Sequence, residues 1–184
     1  MHLITFATIE EAQATLTTFQ AKEVEVNFYS SFIGNILITG MGPEKTKASL
    51  LRYLDKADHF INFGIAGALQ DDVSSTTLLH QIAQVTDEKT LDCIDLLETG
   101  LHLLTVDAPL YDTQKRDLFA QRHHLVDMEG YVIAKLAKRN KKRCSLYKLV
   151  SDFCNESTHE DIMNNLSTHS QTLAQEIEKL SLTP

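Results

Sequence analysis

The stretch LVDMEGYVIAKLAKRNKKRCSLYKLVSD, residues 125–152, decides how the chain folds. Leu125 to Met128 is a short, mostly apolar run ending in acids, as at the end of a buried strand. From Glu129 to Arg139, Val132, Ile133, Leu136 and Ala137 fall on one helical face. Lys138 and Arg139 suit the negative end of that helix. Ser145 to Ser151 reads as a second strand, and Asp152 follows it.

Working outward, the same alternation continues. Strands are expected at Leu3 to Thr8, Glu25 to Phe32, Asn35 to Gly40, His59 to Gly64, Gln81 to Asp87 and His102 to Asp107. Phe32 to Asn35 supplies the turn of an early hairpin. Helices are expected over Glu10 to Gln20 and from Pro43, with Leu50, Leu51 and Leu54 as the second one's apolar stripe. A last helix starts near Ser157, where Ser157 and Glu160 have capping-box spacing. Ile162, Leu166, Leu173, Ile177 and Leu180 form its buried face. Alternating strands and helices predict a three-layer α/β/α fold, a central mixed sheet flanked by helices, in one domain over residues 1–184. Ligands in such folds bind beyond the carboxyl ends of strands.

Composition narrows the function. Hydrophobic residues make up 43% of the 184 positions, charged ones 23%, and the formal net charge is -8. That acidic balance argues against nucleic acid and against anionic membranes as partners. The basic run Lys138 to Arg143 reads as a helix C-terminus entering a solvated loop. Three cysteines, Cys93, Cys144 and Cys154, without metal spacing fit a reducing cytosol. Met1 to Phe6 carries no basic segment and meets Glu10 and Glu11, a poor signal peptide. The eight histidines are scattered, so no metal is expected.

Three strand ends hold candidate chemistry. Glu10 and Glu11 follow the first strand; Asn62-Phe63-Gly64-Ile65-Ala66-Gly67-Ala68 brings two glycines after another. Asp127 with Met128-Glu129 and Ser151-Asp152 end the two strands of the opening stretch. Each acid alone fits a helix cap or a turn; acids after three strands suggest one site.

With Met128-Glu129 opening a helix and Ser151-Asp152 following one helix and one strand later, the chain resembles the nucleoside phosphorylase and nucleosidase family. The likeness is strongest to futalosine hydrolases and methylthioadenosine/S-adenosylhomocysteine nucleosidases. Asn62 to Ala68 matches that family's glycine-rich strand end, and Glu10 its early glutamate. The resemblance implies that Asp152, positioned by Ser151, protonates the leaving purine, and that Glu10 orients and deprotonates the attacking water. Glu129 would bind the ribose hydroxyls with Met128 beneath the sugar, and Ala66 and Gly67 would leave room for the base. No cofactor is implied; a homodimer is.

Water is favoured over phosphate as nucleophile. No arginine precedes Arg52, the early loop carries a carboxylate, and Ile65 stands where relatives often have serine. The compressed segment between Asp87 and Leu101 shortens one loop over the base and 5′ group. Leu104-Thr105-Val106-Asp107-Ala108 looks more like futalosine hydrolases, of menaquinone synthesis, than like adenosine-type enzymes. The expected activity is therefore futalosine (or aminofutalosine) hydrolysis, with the methylthioadenosine/S-adenosylhomocysteine reaction as the alternative. A non-catalytic nucleoside-binding or assembly module is the competing class, supported by the short chain and Ile65 and opposed by the three acids.

Overall fold

The computed structural model describes residues 1–74 and 79–180. The strands are β1 (His2–Phe6), β2 (Lys22–Glu25), β3 (Phe28–Ser31), β4 (Gly34–Ile38), β5 (His59–Ala68), β6 (Leu79–Asp87), β7 (Cys93–Asp95), β8 (Leu101–Thr105), β9 (Leu125–Asp127) and β10 (Arg143–Asp152). Among them run α1 (Ile9–Thr18), α2 (Pro43–Leu51), the single turn α3 (Asp71–Ser74), α4 (Thr113–Phe119), α5 (Gly130–Arg139) and α6 (Thr158–Lys179).

One mixed sheet joins all the strands. Its order is β10-β6-β8-β9-β5-β1-β4-β3-β2, with β7 on β6, and β10 also pairs β5. That extra pairing closes β5, β9, β8, β6 and β10 into a ring, from which β1, β4, β3 and β2 extend. β5 runs parallel to β1 and to β10, whereas β9 crosses its end antiparallel, Gly67 opposite Val126. The chain direction of β9 therefore carries its last residue, Asp127, back toward the middle of β5.

Helices cover both faces, as the alternation predicts. On one side Ala12 and Leu16 of α1 and Leu173 and Ile177 of α6 pack on Ile4, Phe6, Ile61 and Phe63. On the other, Tyr131, Ile133, Leu136 and Ala137 of α5 and Leu50 of α2 pack on Leu3, Phe60, Leu103 and Leu146. Each fully buried side chain of this size contributes roughly 1.5–3 kcal/mol. None of the helices among the described residues is long and apolar enough to cross a membrane.

Several expectations need correction. Glu25 to Phe32 is not one strand; Asn27, at φ 64°, turns the chain between β2 and β3. All of β2 is exposed, so it has no alternation to reveal it. β5 continues through the glycine segment to Ala68 because β10 pairs with it along nearly its whole length. Ser157 is the N-cap residue of α6, as expected, but makes no capping-box bond: its hydroxyl lies 2.8 Å from Asn155 Oδ1 and 2.6 Å from Asp161 Oδ2. Leu173 and Ile177 are buried as expected, but Ile162 and Leu166 line a cavity and Leu180 is exposed.

Candidate active site

The carboxyl ends of β1, β5 and β10 and the start of α6 enclose a cavity of about 450 Å³. Asp152 lines it. The β5–β10 register slips between Val150 and Asp152, so Val150 faces Ala66 and Asp152 faces Gly67, with Ser151 as the extra residue. Such a bulge re-aims a side chain at a strand end. Asp152 is only 4% exposed, and three donors meet it. Ser151 Oγ donates to Oδ2 at 2.6 Å, and the Cys154 backbone N–H and Thr158 Oγ donate to Oδ1, both at 2.9 Å. Burial and this neighbouring carboxylate hold the Cys154 thiol well above its ordinary range, so it stays protonated.

A second group of charges lies farther down β5. Lys148, in β10 opposite Gly64, is 1% exposed and its ammonium pairs with Asp127 Oδ2 at 2.7 Å. Asp127 also accepts from the Gly130 N–H at 2.9 Å and from Thr105 Oγ at 2.7 Å. Burial would depress the Lys148 ammonium, but the charges of Asp127, Glu129 and Glu11 outweigh it and hold its pKa up. Glu129, 7% exposed, accepts from the Gly42 N–H at 2.7 Å. Glu11, 6% exposed, accepts from the Ala7 N–H at 3.2 Å. Burial, then the Glu129 charge, pushes Glu11 up to about 8. Burial, then Asp127, pushes Glu129 up to about 7. Three buried carboxylates share one ammonium, so the cluster readily holds an extra proton.

Two glycines lie beside these groups, and one of them makes room for its neighbours. A Cβ at Gly64 would sit 3.5 Å from both Glu11 Oε2 and Lys148 Nζ, ordinary contact with the two charged groups. A Cβ at Gly67 would overlap the Cys154 sulfur and approach Asp152 Oδ1 to 3.1 Å. Gly67 thus admits Cys154 and Asp152.

Of the expected site residues, Asp152, Ser151, Glu129, Met128, Ala66 and Gly67 all line the one cavity. Glu10 lines it too, but is exposed at its rim, while Glu11 turns inward. The helical phase explains this: Glu11 shares the buried stripe of α1 with Ala12, Thr15 and Leu16. Thr8 caps the helix by accepting the Glu11 N–H at 3.2 Å. Sequence reading also missed Lys148, Asp127's ion pair and Thr158. A lone lysine within the apolar run Leu146-Tyr147-Lys148-Leu149-Val150 was the available signal, since a lysine on a buried strand needs an anionic partner.

The sequence profile of the Phosphorylase superfamily matches residues 77–181, more than half of the chain. The chain belongs to the phosphorylase superfamily. Among solved structures, this superfamily member is similar to a variant of MTAN from Chlamydia trachomatis bound to MTA, at 26% identity and a TM-score of 0.80, over 97% of this chain and 96% of that one. It shares its fold with a futalosine hydrolase mutant of Helicobacter pylori, at 14% identity and a TM-score of 0.84, over 97% of both chains. The same holds for a 5′-methylthioadenosine/S-adenosylhomocysteine nucleosidase from Helicobacter pylori, at 14% identity and a TM-score of 0.83, over 97% of this chain and 96% of that one. No curated protein matches the sequence.

Proposed function

We propose that this superfamily member is a purine nucleosidase, an N-ribosyl hydrolase that releases the base from a 5′-modified nucleoside. The observation that carries the reading is the staging of two acid centres on one strand. Asp152 faces Gly67, and Glu11 with Lys148 faces Gly64, both acids lining the same cavity. One acid for the base and a second, water-activating carboxylate for the sugar is the division of labour used by inverting glycosidases.

In this reading Asp152 gives its proton to N7 of the purine as the C1′–N9 bond breaks and its electrons pass to the base. Water bonds to C1′ and yields its proton to Glu11, the carboxylate to which the role expected of Glu10 passes. Glu11, near the neutral range, is matched to that exchange. Glu129, fixed by Gly42, accepts the ribose hydroxyls, with Met128 beside it. Water is the better nucleophile for a further reason: among the described residues no lysine or arginine lines the cavity, while four carboxylates besides Asp152 do, Glu10, Glu11, Asp127 and Glu129. A phosphate dianion would meet repulsion there.

The cavity's apolar lining favours an uncharged 5′ substituent: Met41, Val106, Pro109, Leu110, Ile162 and Met163 line it, and among the described residues His159 is the one lining side chain that could become cationic. That supports methylthioadenosine as substrate. Futalosine, which carries a carboxylate on its 5′ extension, is the second reading and rests on the Leu104 to Ala108 resemblance. Met41 and Met163 line the cavity yet are 58% and 60% exposed, apolar surface that the expected homodimer would cover.

Chromatography of base released from methylthioadenosine, S-adenosylhomocysteine, futalosine, aminofutalosine and inosine, with and without phosphate, tests the proposal. Phosphate-independent release is expected, fastest from methylthioadenosine, and roughly 10²–10⁴-fold slower in Asp152→Asn. A folded protein that binds nucleosides and releases no base would make this chain a binding module instead.

A further inference from the structure

Asp152's two oxygens are not equivalent, and a count of hydrogens on their partners tells them apart. Taking Asp152 as the acid proposed above, we infer that the proton it delivers rides on Oδ2, and that Thr158 is the positioning residue that reserves Oδ1 as a permanent acceptor.

Thr158 is the first residue of α6 and 3% exposed. Its hydroxyl has one hydrogen. The Asn155 N–H donates to Thr158 Oγ at 3.0 Å, so that oxygen is already an acceptor and its own hydrogen goes to Asp152 Oδ1, 2.9 Å away. The Cys154 backbone N–H, which cannot reverse its role, donates to the same Oδ1 at 2.9 Å. A carboxyl oxygen offers about two in-plane sites, and both on Oδ1 are filled by hydrogens. A proton placed there would orphan a buried donor, a loss native structures avoid.

Oδ2 is arranged differently. Oδ2 accepts from Ser151 Oγ at 2.6 Å and keeps a second site for the proton, while the Cys154 thiol also reaches the carboxyl. Ser151 also has a second acceptor, the Ala66 carbonyl, at 3.3 Å. The serine therefore serves both states: it donates to Oδ2 of the carboxylate, or turns its hydrogen to Ala66 when Oδ2 carries the proton and donates to Oγ. When the Oδ2–H bond breaks and the N–H bond to the base forms, the electron pair stays on a carboxylate whose two Oδ1 donors are already in place, and Ser151 turns its hydrogen back to Oδ2. Preorganised donors of this kind act where charge develops in the transition state.

Thr158 also stands apart from the water-activating end. Its contacts are Asp152 and Asn155, whereas Glu11 and Glu129 are held by Ala7 and Gly42. Removing its hydroxyl should weaken the acid and leave ribose binding alone.

The test compares wild type, Thr158→Val, Thr158→Ser, Asp152→Asn and the Thr158→Val/Asp152→Asn double variant on the best purine nucleoside, by single-turnover base release, with thermal melting as a control on folding. Thr158→Val should lower kcat roughly ten- to a hundredfold, the worth of a hydrogen bond to a charged group, with KM nearly constant. Thr158→Ser should restore most of the rate. In the Asp152→Asn background the valine should cause no further loss, because the residue acts through the acid. An unchanged kcat in Thr158→Val, or an equal fractional loss in the Asp152→Asn background, overturns the inference while the nucleosidase reading stands. A wild-type protein that releases no base from any nucleoside overturns both.

Discussion

Replacing Glu11 with glutamine should make the protein more stable in alkali while abolishing its turnover. Glu11 is held at about 8 in the fold against an ordinary value of 4.5, chiefly by burial and then by Glu129. Between those values the folded state binds a proton that the unfolded chain has released, so stability falls as pH rises through that window and levels off above it. Holding the anion in place costs up to about 5 kcal/mol once the pH passes 8. Glutamine keeps the shape and still accepts the Ala7 N–H through its carbonyl oxygen, but has nothing to ionise. Near about pH 5 the two proteins should therefore unfold together, whereas near about pH 9 the variant should melt on the order of 10 °C higher. Urea unfolding across the pH range, followed by far-ultraviolet circular dichroism, measures the divergence. Parallel stability curves for the two proteins would refute the buried, shared-proton picture of the cluster. Glu10→Gln is the matched control: exposed at the rim, it should shift neither curve.

Other changes probe the supports of the site. Lys148→Met removes the ammonium paired with Asp127 at 2.7 Å and should cost about 3–5 kcal/mol in denaturant titrations at neutral pH. The loss should shrink in mild acid, where the carboxylates take up protons; a variant as stable as wild type at neutral pH would mean the pair is solvated. Gly67→Ala should destabilise the fold by about 1–3 kcal/mol through its overlap with the Cys154 sulfur. Cys154→Gly in the same chain should recover part of that loss, and strictly additive losses in a double-mutant cycle would show that the two residues do not compete for space.

The sequence by itself determined the layers and the strand ends. Helical phase in α5 and apolar runs in β1, β5, β6, β8, β9 and β10 are local signals, and each is set by which residues can be buried at a period of 3.6 or 2. Acids directly after such runs marked Glu129 and Asp152 for the same reason. What only the tertiary structure decided is how those ends meet. Pairing of β10 with both β5 and β6 closes the sheet, and nothing in 28 local residues of the β9–β10 stretch encodes that partnership. Antiparallel entry of β9 turns Asp127 onto Lys148, four residues before Asp152 in sequence yet in a separate charge centre. The slip at Ser151 aims Asp152 at Gly67, and α6 returns Thr158 to its Oδ1. Glu10 and Glu11 differ by one step along a helix, which is 100° of rotation, and that phase buries the second. Residue type says what chemistry a side chain can do; long-range packing says which of two neighbours is buried among shared charges.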